Sequence, residues 1–259
     1  MALDTASLIP AVRDLAYAAG DAILEIYRTD FDSTRKDDGS PVTLADTAAE
    51  AEILPGLRDL TPDIPVVSEE QHSAGDGPTP DKVGQRFWLV DPLDGTREFL
   101  KRNDEFTVNI GLVENNVPIF GVLYAPALDL MYAGTGTGGA TLIEGDREER
   151  PIACRVPPGD GLDVLVSRSH SIGGKVDEYL ADETIRDRIP QGSALKFGRL
   201  AEGVADIYPR FGPTCEWDTA AGHAIVLAAG GSLTRIDGGT FDYGKPKFLN
   251  PGFVAFGRR

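Results

Sequence analysis

Trp88-Leu89-Val90-Asp91-Pro92-Leu93-Asp94-Gly95-Thr96 holds the most chemistry per residue in this chain of 259 residues. An apolar run ends in two aspartates separated by Pro-Leu and followed by Gly-Thr. Pro92 fixes φ and removes a donor, so a sharp turn is expected after Asp91, one that aims both carboxylates at a single point. Gly95 lets the backbone approach a ligand closely. A helical turn starting near Thr96 would offer its free N–H groups to an anion. Two hard carboxylates beside a phosphate-sized nest suit Mg²⁺, which takes oxygen ligands and keeps substrate phosphate in its shell. The plain alternative is an ordinary D-x-x-D-G turn.

Two further acidic segments weigh against that alternative. Ser68-Glu69-Glu70 also places acids at the end of an apolar run. Adjacent like charges there repel unless solvated or bridged by a cation. Trp217-Asp218-Thr219-Ala220-Ala221-Gly222 leads into an almost wholly apolar helix. Asp218 reads as its N-cap, with a second carboxylate oxygen left for a metal. The small residues after it imply a closely packed helix, at whose mouth a buried charge needs a partner.

Upstream, Leu8, Val12, Leu15, Ala19, Ile23 and Ile26 recur at helical spacing. Asp37-Asp38-Gly39-Ser40-Pro41 is turn chemistry. A second helix carries Ala49, Ile53, Leu57 and Leu60 on one side, with Thr43 as N-cap and Asp46 in a capping-box position. Strands are expected over 64–68 and 87–90, separated by a polar loop over 71–81. A hairpin follows over 106–113 and 117–124, then a meander from Met131 with a charged turn over 144–150. Beyond Pro157-Pro158-Gly159-Asp160, strands over 164–167, 205–208 and 231–236 alternate with helices over 172–181, 193–203 and 218–229. This predicts an α+β part over 1–155 and an α/β part over 156–259, packed as one compact unit.

Composition narrows the function. A net charge of −16 argues against nucleic-acid polymers and anionic membrane surfaces, though a bound cation can invert the field locally. The apolar runs fall short of the roughly 20 residues a membrane span needs. Met1 to Leu8 carries Asp4 and no basic stretch, so a secretory leader is not expected. The expectation is a cytoplasmic location, with peripheral association at the inner membrane left open. Cys154 and Cys215 form no C-x-x-C pair and read as two free thiols.

Together, Asp91 to Thr96 and Trp217 to Gly222 resemble the two signatures of the inositol monophosphatase superfamily, D-P-[hydrophobic]-D-G-[TS] and W-D-x-A-[AG]-G. The resemblance implies a layered αβαβα sandwich of the inositol monophosphatase (sugar phosphatase) type. It also implies a phosphoric monoester hydrolase using about two or three Mg²⁺ ions and inhibited by Li⁺. Within the superfamily the chain is most similar to bacterial 3′(2′),5′-bisphosphate nucleotidases. That likeness rests on Asp38 to Thr43, Arg97 to Phe99, Arg102 to Ile110, Ser167-Arg168-Ser169-His170, Ser193 to Phe197, Tyr208 to Thr214 and Phe248 to Phe253. The implied substrate is adenosine 3′,5′-bisphosphate, a by-product of sulfate assimilation.

By the same resemblance, Glu69, Asp91 and the Leu93 carbonyl bind one metal, and Asp91, Asp94 and Asp218 bind a second. Glu70 then lies behind Glu69. Asp46, Glu69 and Thr96 are the implied catalytic residues, with Asp46 orienting the Thr96 hydroxyl that helps activate water. Gly95, Thr96, His170, Ser193, Lys196, Arg210 and Asp218 are the implied substrate contacts, Lys196 and Arg210 suiting the second phosphate. Ser193 and Lys196 are expected on one helix face. Two other readings stay open: an inositol or sugar monophosphatase, and an inactive nucleotide-binding regulator. The chain is expected to act as a monomer or a homodimer.

Overall fold

The computed structural model describes residues 3–29, 33–35, 41–136, 138–168 and 174–258. Helix α1 (Ile9–Tyr27) buries Val12, Ala16, Ala19, Ile23 and Tyr27, the stripe its periodicity predicts, while Leu15 and Ile26 lie at its margin. A short antiparallel pair, β1 (Ser33–Arg35) and β2 (Pro41–Thr43), leads into α2 (Leu44–Leu60). The expected turn chemistry before Pro41 and the cap side chain of Thr43 lie outside the described residues.

Next come β3 (Val66–Ser68), α3 (Glu69–Ala74), β4 (Arg86–Asp94), α4 (Thr96–Leu100), β5 (Thr107–Glu114), β6 (Val117–Ala125), β7 (Leu130–Thr135), β8 (Gly139–Glu144) and β9 (Arg150–Ile152). Among the described residues these strands form a seven-stranded sheet in order of sequence. Only β3 and β4 in it are parallel. Two expectations change here. The polar loop expected over 71–81 begins as helix α3, which Glu69 opens. Pro92 does not turn the chain: β4 runs on to Asp94, and its register shifts between the pairs Asp91↔Asn109 and Asp94↔Thr107. A bulge accommodates a proline, which cannot donate to the ladder, and still re-aims side chains.

The rest of the chain gives β10 (Leu162–Ser167), α5 (Lys175–Tyr179), β11 (Ile185–Gln191), α6 (Leu195–Ala201), β12 (Ile207–Arg210), β13 (Thr214–Cys215), α7 (Ala220–Ala228), β14 (Ser232–Arg235), β15 (Leu249–Asn250) and β16 (Phe253–Phe256). Five of these strands make a mixed sheet, ordered β11-β10-β12-β16-β14. The helix expected over 172–181 is only α5, with 169–173 outside the described residues. The helix expected over 193–203 contracts to α6, because Ser193 adopts φ 44 and cannot join it. Ser193 and Lys196 therefore do not share a helix face. Asp218 is not the N-cap of α7; Thr219 occupies that position.

Three clusters of buried side chains define the layers. One joins α1 and α2 to the outer face of the seven-stranded sheet. The second joins that sheet's inner face to α6, α7 and the five-stranded sheet. The third joins the far face of the five-stranded sheet to Val176, Tyr179 and Leu180 of the α5 segment. The order is helices, sheet, helices, sheet, helix, an αβαβα sandwich. The inner helix layer lies very close to the larger sheet: a Cβ on Gly121 would stand 2.2 Å from the Ala221 carbonyl oxygen. That contact lets the backbone of α7 rest on β5, β6 and β7, with the acid just before it beside Asp91 of β4.

Candidate active site

A cleft of about 410 Å³ opens where β4, α3, α6 and the β13–α7 connection converge. Glu69, Asp91, Leu93, Asp94, Gly95, Thr96, Ser193, Lys196, Arg210 and Asp218 all line it. Residues about 150 positions apart in sequence, Glu69 and Asp218, thus meet. Asp46 is 2% exposed and does not line the cleft, but its charge reaches Asp91. His170 lies outside the described residues.

Carboxylate oxygens of Glu69, Asp91 and Asp218 lie within 4.8 Å of one another. Each arrives from a different element: the start of α3, the bulge of β4 and the residue before the N-cap of α7. Asp91 accepts the Leu93 N–H at 3.1 Å, which holds the bulge closed. Asp218 accepts the Cys215 N–H at 2.9 Å. Asp94 accepts the Ala194 N–H with one oxygen, and a carboxylate has a second to offer.

Burial pushes the Asp91 carboxyl well above the usual range, and the charges of Glu69, Asp94, Asp218 and Asp46 push it further. Burial does the same to Asp218, with Asp94 and Glu69 adding to it. Asp94 is pushed up to about 6 by burial, against the opposing pull of Lys196 and of the Ala194 N–H.

The site passes a chemical test for a hard cation. Its donors are all oxygen, and clustered carboxylates at low exposure are unfavourable without a positive charge among them. Across the ladder from Asp91, the fully buried amide of Asn109 has neither its oxygen nor its nitrogen paired. Directly opposed residues share a sheet face, so Asn109 stands beside Asp91, where water carried by an ion held there would give that amide a partner.

Gly95 adopts φ 91 and is the N-cap of α4; a Cβ there would stand 3.0 Å from Ser193 Cβ. A non-glycine residue is strained in this region. Thr96 begins α4, as the sequence predicts.

Basic side chains line the same cleft beside the acids. Lys196 is 3% exposed, and its Nζ donates to the carbonyls of Gln191 at 3.1 Å and Ser193 at 2.5 Å. Burial lowers its pKa to about 8, against the raising pull of Asp94. Arg210 donates from Nη1 to Ser167 Oγ at 2.6 Å, while its buried Nε has no partner. Arg168 lies nearby in a two-bond ion pair with Glu105, at 2.8 and 2.7 Å.

Sequence reasoning gave Arg168, Glu105, Gln191 and Asn109 no role. Arg168, Glu105 and Asn109 sit inside segments quoted for the resemblance. Gln191 ends β11, a strand whose charged sequence Ile-Arg-Asp-Arg-Ile-Pro-Gln hides it.

Comparison with known proteins places this geometry in a lineage. A 3′(2′),5′-bisphosphate nucleotidase CysQ from Salmonella typhimurium is 49% identical over 250 residues, covering 95% of this chain and 98% of that protein. The protein of that name from Escherichia coli K12 is 47% identical over the same length, with the same coverage. The crystal structure of CysQ from Bacteroides thetaiotaomicron superposes with a TM-score of 0.82 at 35% identity, covering 99% of this chain and 98% of that one. The model of the inositol monophosphatase family matches residues 4–253, and the chain belongs to that family.

Proposed function

We propose that this chain is a Mg²⁺-dependent phosphomonoesterase that removes the 3′-phosphate of adenosine 3′,5′-bisphosphate, a 3′(2′),5′-bisphosphate nucleotidase. The observation that carries the reading is one cleft lined by both signs of charge. Three carboxylates cluster in it, and Lys196 and Arg210, whose buried Nε is unpaired, line it beside them. A monophosphatase needs the acid cluster only. The relatives at 47–49% identity are 3′(2′),5′-bisphosphate nucleotidases, which agrees with this choice.

Glu69, Asp91 and the Leu93 carbonyl would hold one Mg²⁺, and Asp91, Asp94 and Asp218 a second. When bound, such ions add positive charge at the phosphoryl oxygens and acidify the attacking water. The N–H groups of Gly95 and Thr96 bind the phosphoryl group that is cleaved. Asp46 orients the Thr96 hydroxyl, which accepts a hydrogen bond from the water and fixes its line of attack. The P–O3′ bond breaks, and the sugar oxygen leaves with a proton. Lys196 and Arg210 bind the phosphate that stays, with Ser193 beside them and His170 assigned to the base. About-millimolar Li⁺ inhibits in this scheme by competing for a Mg²⁺ position. Cytoplasmic action on a by-product of sulfate assimilation belongs to the same reading.

The test is a ratio. A charge-assisted bond to phosphate is worth roughly 1.5–3 kcal/mol, so Arg210→Ala should lower kcat/KM on adenosine 3′,5′-bisphosphate by about 10- to 150-fold. On inositol 1-phosphate, which has no distal phosphate, the change should be within about threefold. Equal harm to both substrates would contradict the assignment.

A further inference from the structure

The turn carrying Asp218 is held at both ends by a segment that none of the chemistry above uses. Asn250 lies on β15, which pairs with β13 as Thr214↔Asn250 and Cys215↔Leu249. The Asn250 amide nitrogen stands 2.6 Å from the Cys215 carbonyl, 3.0 Å from Thr219 Oγ1 and 3.1 Å from Thr214 Oγ1. Cys215 and Thr219 flank the Trp217-Asp218 turn, so one side chain ties its entry to its exit. Its own oxygen is buried and unpaired. The Cys215 carbonyl can only accept, and it fixes that amide atom as the nitrogen.

The exit is tied again. Thr219 Oγ1 donates to the Glu216 carbonyl at 3.2 Å and accepts from Tyr243 Oη at 3.2 Å. The entry is tied by Glu216, fully buried, whose carboxylate accepts the N–H groups of Gly244 at 2.7 Å and Lys245 at 2.8 Å. The segment from 243 to 250 is therefore a strap across the back of the turn. On its front the Asp218 carboxylate receives the N–H of Cys215, the residue whose carbonyl Asn250 holds.

Resting on the metal-dependent reading above, we propose that Asn250 is a positioning residue: it holds the 215–219 turn so that the Asp218 carboxylate stays in register with Glu69 and Asp91 for a divalent cation. A carboxylate that must meet two others within a few ångströms loses ion affinity when its backbone relaxes. Residues that orient ligands from behind typically govern affinity by about 10–100-fold.

The test measures ion binding without substrate. Mn²⁺ is titrated into the metal-free protein and the free ion is counted by its electron paramagnetic resonance signal. Asn250→Ala and the isosteric Asn250→Asp should each raise the Mn²⁺ dissociation constant by about tenfold. The Mg²⁺ concentration for half-maximal activity should rise alike, with kcat at saturating Mg²⁺ kept within about threefold. Thr219→Val, which removes the hydroxyl from the same staple, should reproduce the loss, and Thr219→Ser should restore near-wild-type affinity. A folded Asn250 variant with a lowered Tm but unchanged Mn²⁺ affinity would overturn the proposal. So would equal losses in Thr219→Val and Thr219→Ser. Because binding is read without turnover, absence of nucleotidase activity would count against the proposed reaction and not against this role.

Discussion

Asp91 is 1% exposed, with Glu69, Asp94, Asp218 and Asp46 close enough to raise its pKa. Its folded pKa therefore lies above its unfolded one. For such a group, stability is fully present below the unfolded pKa and is lost as pH rises through the folded value. Asp218 has the same sign, and for Asp94 the window runs from the ordinary range of about 4 up to about 6. Asp163 has the opposite sign: Arg186 and Arg155 hold it at about 2, so its contribution is lost only in stronger acid. Buried His223, held at about 3, works against this as pH falls below its ordinary value, so the cluster is read as a difference: in EDTA the Tm of wild type should gain on that of Asp91→Asn between about pH 7.5 and pH 5, and excess Mg²⁺ should flatten that gain. A difference that stays constant over this interval would contradict the description of the acid cluster. Asp91→Asn removes the like-charge repulsion while keeping an oxygen for the Leu93 N–H. It should raise the metal-free Tm yet lower kcat by about 10² or more. Normal turnover in this variant at modest Mg²⁺ would sink the ligand assignment.

Helix α7 was the most legible element, because an Ala-rich run after Trp-Asp leaves little but a buried helix. Its distance from the sheet was not legible, since that depends on Gly121 two strands away in the sheet. Gly121→Ala puts a methyl 2.2 Å from the Ala221 carbonyl, a contact with backbone that no rotamer relieves. It should cost about 2–3 kcal/mol of stability and raise the Mg²⁺ requirement, since α7 begins just after Asp218. Denaturant unfolding and a Mg²⁺ titration of activity check both effects; wild-type values in each would show that the close approach is dispensable. The acids at Glu69, Asp91, Asp94 and Asp218 were legible because clustered carboxylates at the ends of apolar runs demand a partner. The bulge at Pro92 was misread as a turn, because a proline reports only that a donor is missing and not how the ladder absorbs it. Strand β11 was missed because its alternating Arg and Asp side chains are exposed at a sheet edge, which erases the apolar signal. Ser193 was placed on a helix because its φ of 44 is set by neighbours distant in sequence: Gly95 and Glu105 pack against its turn.

At the scale of the whole molecule, 41 acidic residues outnumber 25 basic ones, yet Lys196 and Arg210 line the cleft beside the acid cluster. Bound cations reconcile an anionic substrate with this surface, and they should stabilise the fold by mass action. At about 100 times its dissociation constant, Mg²⁺ adds about 2.7 kcal/mol, or roughly 5–10 °C in Tm for a chain of this size. A KCl control at matched ionic strength should give a much smaller shift; an equal one would reduce the effect to screening. The account stands most directly on phosphate release from adenosine 3′,5′-bisphosphate by the purified chain, with the nucleotide product identified. The predicted result is one inorganic phosphate and adenosine 5′-monophosphate per turnover, abolished by EDTA, restored by Mg²⁺, and more efficient in kcat/KM than release from inositol 1-phosphate. Release that persists in EDTA, or a preference for inositol 1-phosphate, would contradict it.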